Sequence, residues 1–360
     1  MRKVVLASLL LVPLSLGFSM YPASGDINEQ GEKCSPIQVK SLTYIDQNGV
    51  ESATPKPGAG TVYHFDFGDG SDVTQVAPPP DFRPVTASDS ALAAFGFPAR
   101  PSSPEALKVW VDAYSTYRET IAGTLCQSTS SASILSSDNW SGVMGTQHSD
   151  FRRTSAYSRV PSFSASCPHE STLALWTGLG GWNSSPKLIQ SGAVSKIGTL
   201  QGMSAWWEVI DAPTDSHIVS VDDNYANAGD LVLSYTYYDS SAGLAKFDWY
   251  NVSSGRNPGM ISVSSYAGKA ISNFYDGNTA EYIDERTLKS DGTKYLLRNY
   301  ATAGWKDAYV ATAGQPDAEI GSIYDHVGID MYYGSLLSEL VGDHLATPTS
   351  WNMTWHGCGS

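Results

Sequence analysis

Charged side chains are scarce in this chain of 360 residues: only 16% are Asp, Glu, Lys or Arg, and the net charge is −14. A surface of this sign repels phosphate groups, so the composition excludes nucleic acid as a partner. An acidic chain loses self-repulsion when its carboxylates take up protons, whereas a basic chain would gain it. The composition therefore favours an acidic medium.

The sequence has no long apolar run after residue 16. The one apolar stretch, residues 4–16, follows Met1-Arg2-Lys3 and is too short to span a membrane. This pattern predicts a secretory signal peptide over residues 1–23, with cleavage near Ser19 or Ala23. We therefore expect a secreted protein without a membrane partner.

Cysteines number only four: Cys34, Cys126, Cys167 and Cys358. No two of them have the Cys-x-x-Cys spacing of a zinc site, and the sequence around Cys167 lacks a second ligand cluster. An even count in an exported chain predicts two disulfides, and three pairings remain open. We expect no metal and no organic cofactor.

Several familiar catalytic motifs are absent as well. The sequence has no Gly-x-Ser-x-Gly, no His-Glu-x-x-His and no Asp-Thr-Gly or Asp-Ser-Gly. These absences disfavour an α/β-hydrolase serine site, a zinc peptidase site and a two-aspartate site. The chemistry must come from other carboxylates and amides.

Short β-prone segments separated by Gly, Asn, Asp and Ser dominate the chain after the serine-rich residues 128–133. Their apolar side chains alternate, which predicts an all-β fold, an antiparallel sandwich of two sheets. Only residues 335–341 have helical periodicity there. Strands are predicted at 173–177, 187–190, 205–210, 230–238, 245–252, 260–266, 279–285, 294–300 and 352–356.

The N-terminal part has a mixed character. Alternation over residues 62–67 followed by Gly68-Asp69-Gly70-Ser71 predicts a hairpin, because the acid spacing does not fit a helix-loop-helix calcium site. Helices are predicted over 88–95 and from Pro104 onward, after a stiff linker at 78–80. We divide the chain into a signal peptide (1–23), an N-terminal extension or propeptide (24–130) and a β-sandwich domain (131–360). Two alternatives remain for the extension. It is a propeptide that is cut or released on acidification, or it is a permanent part of the protein.

Five short motifs occur in a fixed order in the β-rich part, and each is weak alone. Together they resemble the glutamic peptidases, or eqolisins, over the chain from about Asp138 onward. The motifs are Asn139-Trp140-Ser141-Gly142, Trp176-Thr177-Gly178-Leu179-Gly180-Gly181, Leu188-Ile189-Gln190-Ser191-Gly192, Trp206-Trp207-Glu208 and Ala280-Glu281-Tyr282-Ile283-Asp284-Glu285. The resemblance implies a bent two-sheet sandwich of the concanavalin A-like lectin and glucanase type.

The resemblance also implies two catalytic residues, Glu285 and Gln190. A carboxylate can take a proton from water and pass it to the leaving amine, and a neutral amide can donate to the developing oxyanion. In the strand containing Glu285, alternation puts Glu281, Ile283 and Glu285 on one face and Tyr282 and Asp284 on the other. Glu281 is therefore the competing acid within the motif.

Three tryptophans, Trp140, Trp176 and Trp206, match positions that line the substrate cleft in the family. Glu208 matches an acid that supports the catalytic pair, so we assign these four residues to substrate binding. The chain departs from some fungal members at Gly180, where they carry Asp, and at Thr287, where they carry an aromatic residue. Both positions are expected to border the cleft.

We therefore expect a monomeric, secreted, acid-acting endopeptidase whose substrates are polypeptides. One alternative is a carbohydrate-binding or glycan-hydrolysing β-sandwich, since paired acids in an aromatic cleft suit glycoside hydrolysis. A glycosidase would need a second carboxylate near Glu285, whereas a glutamic peptidase needs Gln190 there. A non-catalytic peptide-binding relative is the other alternative, and the presence of both residues disfavours it.

Overall fold

The computed structural model describes residues 35–101, 104–115, 117, 119–120, 125–127, 138–146, 150–168, 170–182, 185–198, 200, 202–211, 218–289, 293–313, 318–320, 326–341 and 350–359. The predicted signal peptide and Cys34 lie outside the described residues. None of the helices within these ranges has the length and apolar composition needed to span a membrane.

The described chain is built almost entirely of strands. In chain order they are β1 (Ser35–Ile45), β2 (Glu51–Ser52), β3 (Gly60–Asp66), β4 (Asp72–Ala77), β5 (Glu119–Thr120), β6 (Leu125–Gln127), β7 (Trp140–Gly145), β8 (Phe151–Arg159), β9 (Ser171–Thr172), β10 (Ala174–Gly180), β11 (Leu188–Ser195), β12 (Met203–Ile210), β13 (Val219–Ala226), β14 (Leu231–Asp239), β15 (Leu244–Asn251), β16 (Arg256–Asn257), β17 (Met260–Tyr266), β18 (Lys269–Ala270), β19 (Ala280–Glu285), β20 (Leu296–Leu297), β21 (Thr302–Thr312), β22 (Ala318–Glu319), β23 (His326–Ile329), β24 (Met331–Tyr333), β25 (Ser335–Val341) and β26 (Trp351–Trp355). Two α-helices, α1 (Asp89–Ala94) and α2 (Pro104–Tyr114), and two 3₁₀ turns (Pro84–Thr86 and Ile271–Phe274) complete the description.

Two sheets form a sandwich, as the alternating pattern predicts. Sheet 1 has the order β23-β7-β19-β10-β11-β12-β13-β6-β1. Sheet 2 has the order β1-β3-β4-β17-β15-β14-β8-β21-β26-β25-β24. Pairing within both sheets is antiparallel, and the parallel contacts described are the short pairs β5–β16 and β9–β20.

Strand β1 belongs to both sheets. Residues 35–37 pair with β6 at the edge of sheet 1, and residues 38–45 pair with β3 in sheet 2. Strand β4 also extends sheet 2 by pairing with β17. The N-terminal part of the described chain is therefore hydrogen-bonded into the sandwich on both sides.

The main core lies between the two sheets and takes one face of each. Phe247 and Trp249 point into it, as their alternation with Lys246 and Asp248 predicts. Hydrogen bonds cross the core: the Trp249 indole donates to the Gly192 carbonyl at 3.0 Å, and the Tyr282 hydroxyl donates to the Tyr309 carbonyl at 2.6 Å. These bonds fix the relative position of the sheets, because a buried polar group without a partner is costly.

A second core covers the outer face of sheet 2 with α1, α2 and the chain around them. Helix α1 begins where predicted, since Ser88 Oγ accepts from the Ala91 amide at 3.1 Å, and it ends before Gly96, whose φ is 83°. Helix α2 packs Tyr114 against Tyr250, with ring centroids 5.4 Å apart. The β3–β4 hairpin predicted from Gly68-Asp69-Gly70-Ser71 is confirmed.

Most predicted strands are confirmed, but residues 335–341, which have helical periodicity, form a strand. This segment is β25, which pairs with β24 on one side and β26 on the other. Its apolar spacing suits a helical face, yet pairing along both edges overrides that local preference. The predicted strand at 294–300 is also shorter than expected, because only Leu296–Leu297 forms β20.

One disulfide is described, between Cys167 and Cys358. It ties the chain before β9 to the C-terminal residues. Both cysteines contact Leu297 of β20: its amide donates to the Cys358 carbonyl at 2.8 Å, and its carbonyl oxygen lies 3.2 Å from Cys167 Sγ. Of the three predicted pairings, only the one that joins Cys34 to Cys126 remains for a second disulfide.

Candidate active site

The outer face of sheet 1 carries an aromatic cluster separate from the main core. Trp140, Trp176 and Trp206 belong to it, and each is at least 98% buried. The rings of Trp140 and Trp176 meet edge to face at 5.0 Å, and Trp182 stacks on Trp140 at 6.0 Å. The sequence therefore grouped the three tryptophans correctly, apart from those that fill the main core.

Glycines make room for these rings. Gly192 lies opposite Trp176 on one side and Trp206 on the other. A Cβ atom at Gly192 would come within 2.6 Å of Trp176 Cβ, and one at Gly178 within 2.8 Å of Trp176 Cζ3. Side chains at either glycine would displace Trp176.

Glu285 is the last residue of β19 and lies on this same outer face. Its carboxylate receives two hydrogen bonds, one on each oxygen. The Trp176 indole donates to Oε2 at 2.8 Å, and the Asn139 amide donates to Oε1 at 2.7 Å. Glu285 is only partly buried as a residue, unlike its neighbours on the strand.

Burial raises the pKa of Glu285 to about 7. The N–H groups of Trp176, Trp140 and Asn139 oppose this rise, as does the positive charge of Lys294. The Trp140 N–H makes no hydrogen bond of good geometry, so it lowers the pKa of Glu285 through its proximity to the carboxylate. The carboxyl group can therefore both release and take up a proton near neutral pH.

Gln190 and Glu208 face each other directly across β11 and β12. Gln190 Nε2 donates to Glu208 Oε2 at 2.6 Å, and both side chains are 3% exposed. Burial and the charge of Glu285 raise the pKa of Glu208 to about 8. Since Glu208 feels the charge of Glu285, the Gln190–Glu208 pair and Glu285 form one electrostatic unit.

Trp176 provides the physical link between Glu285 and Gln190. In the strand register, Gln190 is level with Gly178 and Glu281, whereas Glu285 lies four residues further along β19. The Trp176 ring extends over Gly178, and its indole N–H reaches Glu285. The Trp176 ring and Gln190 Cβ thus both lie beside Gly178, while the indole N–H of the same ring bonds to Glu285.

Glu281 shares the outer face with Glu285, as the alternation predicts, but its surroundings differ. It is fully buried, and neither carboxyl oxygen makes a hydrogen bond of good geometry, although the Thr279 hydroxyl lies nearby. Burial first, and then the charge of Asp276, raise its pKa well above the usual value. Glu285 is only partly buried and accepts a hydrogen bond on each oxygen, so it is the better candidate for chemistry.

The two departures from the family pattern have different surroundings. Gly180 has φ +95°, and a Cβ there would meet the Lys187 carbonyl at 2.3 Å, so a side chain would require a rearranged loop. Thr287 is buried and bonds through its amide and hydroxyl to Thr172 Oγ1, at 3.0 and 2.9 Å. Of the two positions, only Gly180 lies on the same face of β10 as Trp176.

The sequence analysis did not single out Asn139, although it opens one of the quoted motifs. Its place directly before Trp140 was the feature of the sequence that could have marked it as part of the site. Lys294, whose charge reaches Glu285, lies outside the quoted motifs, so no pattern singled it out.

No group of three or more His, Cys, Asp or Glu side chains that could hold a metal occurs within the described ranges. A crevice of about 720 Å³ lies between β8, β21 and β26, and no acid is among its described lining residues.

Comparison with known proteins agrees with the residue pattern. The family model described as the Peptidase A4 family matches residues 138–333, more than half of the chain. No curated protein sequence matches the chain significantly.

Three similar solved structures are those of peptidases. SCP-B, a member of the Eqolisin family in a complex with the tripeptide Ala-Ile-His, is 17% identical, with 61% of this chain and 98% of that chain covered and a TM-score of 0.46. Scytalido-glutamic peptidase with a transition state analog inhibitor is 18% identical, with 61% and 98% covered and a TM-score of 0.47. Aspergilloglutamic peptidase from Aspergillus niger is 17% identical, with 52% and 100% covered and a TM-score of 0.42.

Proposed function

Because this chain belongs to the Peptidase A4 family and is a glutamic endopeptidase, we propose that it is secreted and cuts polypeptides at acidic pH with Glu285 and Gln190 as its catalytic pair. The observation that carries this proposal is the electrostatic unit on the outer face of sheet 1. It combines the carboxyl group of a partly buried residue, Glu285, with a fixed amide, Gln190, that is anchored by Glu208.

The proposed reaction needs one carboxylate and one amide. Ionised Glu285 takes a proton from water as the water oxygen attacks the scissile carbonyl. Gln190 Nε2 carries two hydrogens; Glu208 accepts one, and the other can donate to the oxyanion. Protonated Glu285 then gives its proton to the leaving amine as the C–N bond breaks. Water is thus divided between the two products, and no covalent enzyme intermediate forms.

Glu208 supports this division of roles. As pH rises, Glu285 ionises first, at about 7, and Glu208 follows at about 8, against the charge of Glu285. Glu208 is therefore neutral when Glu285 becomes a base. At acidic pH the ionised fraction of Glu285 is small, while the protonated form that serves the leaving amine is abundant.

Acid action is supported by the buried carboxyl groups elsewhere. Burial raises the pKa values of Asp248, Glu281 and Asp284 in the folded state. A folded state that holds protons more tightly than the unfolded chain gains stability as the pH falls through these values. The folded state is thus more stable in acid, whereas the ionised fraction of Glu285 is smaller there. The pH range of activity depends on both effects.

Secretion is supported by the N-terminal pattern of residues 1–23 and by the Cys167–Cys358 disulfide. Disulfides persist in oxidising compartments and are rare in the cytosol.

One observation favours the glycan-hydrolysing alternative: Glu208 supplies a second carboxyl group coupled to Glu285. Since Gln190 is there as well, the partner of Glu285 alone does not decide between the two chemistries. The family membership decides for peptide bonds.

Incubation with denatured casein and, separately, with a β-glucan from about pH 3 to pH 7, the range in which carboxyl groups titrate, tests the proposal. We expect casein fragments at acidic pH and no release of sugar. Sugar release without casein fragments would overturn it.

A further inference from the structure

We propose that Asn139 is a positioning residue that aims the Glu285 carboxylate at the attacking water. The inference rests on the proposed role of Glu285 and adds to it a residue that neither the family resemblance nor the sequence pattern assigned.

The hydrogen bond described for the Asn139 side chain is made to Glu285. Its Nδ2 donates to Glu285 Oε1 at 2.7 Å, and its own Oδ1 is buried without a hydrogen-bond partner in the described part of the chain. Asn139 is 1% exposed. The bond to Glu285 is therefore the side-chain hydrogen bond that orients Asn139 in the described part of the chain.

Two donors of different origin fix the plane of the carboxylate. Asn139 holds Oε1 from the turn that leads into β7, and Trp176 holds Oε2 from β10, on the opposite side of β19. With one bond on each oxygen, rotation of the carboxyl group about its last C–C bond breaks both. The orientation of the lone pairs that remain is then fixed, as a general base requires.

The backbone that carries Asn139 is itself clamped beside Glu285. The Arg286 amide donates to the Asn139 carbonyl at 3.1 Å, and Arg286 Nε donates to the Asp138 carbonyl at 2.9 Å. The Asp138 carboxylate forms an ion pair with Lys294. The residue next to Glu285 therefore sets the place of Asn139, so the donor and its acceptor move together.

The Asn139 N–H has an electrical effect as well as a geometric one. It stabilises the ionised form of Glu285 and so lowers the pKa of this carboxyl group against the effect of burial. Loss of the donor should raise that pKa and reduce the ionised fraction most strongly at acidic pH.

The test uses the full-length protein with Asn139→Ala, Asn139→Asp and Glu285→Gln, and measures kcat and KM on a peptide across the acidic range. Asn257→Ala is the matched control, because Asn257 is also a buried amide that donates to a buried carboxyl group, Asp248 at 3.2 Å, but lies in sheet 2. Circular dichroism and thermal unfolding report whether each variant is folded.

We expect Asn139→Ala to lower kcat by about 10- to 100-fold, the range for loss of a hydrogen bond to a charged group, with little change in KM. Its acid limb should move to higher pH. Asn139→Asp should recover part of the activity in acid, where a protonated carboxyl group can donate to Glu285, and lose it as that group ionises. Asn257→Ala should keep the wild-type pH profile whatever its effect on stability.

A folded Asn139→Ala enzyme with wild-type kcat and pH profile would overturn the inference. Equal losses at every pH in the Ala and Asp variants would also overturn it, since a structural defect does not depend on the protonation of residue 139. If Glu285→Gln still digests the peptide, the proposed function itself fails. If that variant is inactive while Asn139→Ala behaves as wild type, only the present inference fails.

Discussion

Replacement of Asp284 by Asn should make the protein more stable at neutral pH and leave it nearly unchanged in acid. Asp284 is fully buried in the core between the sheets, where the Trp305 indole donates to its Oδ1 at 2.6 Å and Oδ2 has no partner. Asn has the same shape and its Oδ1 can accept the same bond, so the substitution removes the charge and puts an amide nitrogen in place of Oδ2.

The magnitude follows from the pKa. Burial raises the pKa of Asp284 from 3.8 to about 7, a shift of about 3 units. At about 1.36 kcal/mol per unit this corresponds to at most about 4 kcal/mol. Because the folded pKa is raised, wild-type stability is unaffected below about pH 4, falls from about pH 4 to about pH 7, and is constant above that.

Urea unfolding followed by circular dichroism at pH 4 and pH 8 measures the effect. The stability difference between Asp284→Asn and wild type should grow by up to about 4 kcal/mol between the two pH values. Asp81→Asn, which removes an exposed carboxylate, is the control and should show no such growth. If the Asp284→Asn difference is the same at both pH values, the burial argument is refuted.

Three further outcomes follow from the fold. Cys358→Ser should lower the free energy of unfolding by about 2–5 kcal/mol, since the disulfide to Cys167 closes a long loop; an unchanged urea midpoint would contradict this. A cut in residues 128–137 should leave the N-terminal piece bound at pH 4 on size-exclusion chromatography, because β4 and β6 pair into the sheets; a freely released piece would show that acid loosens this contact. Asp248, which accepts from Tyr114 of α2 at 3.0 Å, has a pKa raised by burial to about 6, so acid favours the docked state. Pepstatin, chelators and serine or thiol reagents should leave proteolysis intact, because the sequence lacks the sites that they attack, and full inhibition by a chelator would point to a metal-dependent reaction.

Local patterns in the sequence predicted the strands well. Alternation over β15 and β19 depends only on neighbouring residues, so it correctly put Phe247 and Trp249 on one face of β15 and separated Glu285 from Tyr282 on β19. The capping signal at Ser88 is likewise local. The sandwich follows from many such segments with two different faces.

Contacts between distant strands could not be predicted in this way. The pairing of Gln190 opposite Glu208 depends on the register of β11 and β12, which the intervening loop sets. The bond from Asn139 to Glu285 joins residues 146 positions apart. The strand at 335–341 and the passage of β1 between the sheets depend on partners along their edges, and local periodicity contains no information about those.

The central claim is that Glu285 and Gln190, rather than Glu281, carry the chemistry on the outer face of sheet 1. The most direct measurement is kcat/KM on one peptide substrate at acidic pH for Glu285→Gln, Gln190→Ala and Glu281→Gln, each shown to be folded. We predict losses of at least about 10²–10³-fold for the first two, the typical effect of removing an oxyanion donor, and near wild-type activity for Glu281→Gln. Wild-type digestion by Glu285→Gln, or loss of activity confined to Glu281→Gln, would contradict the account.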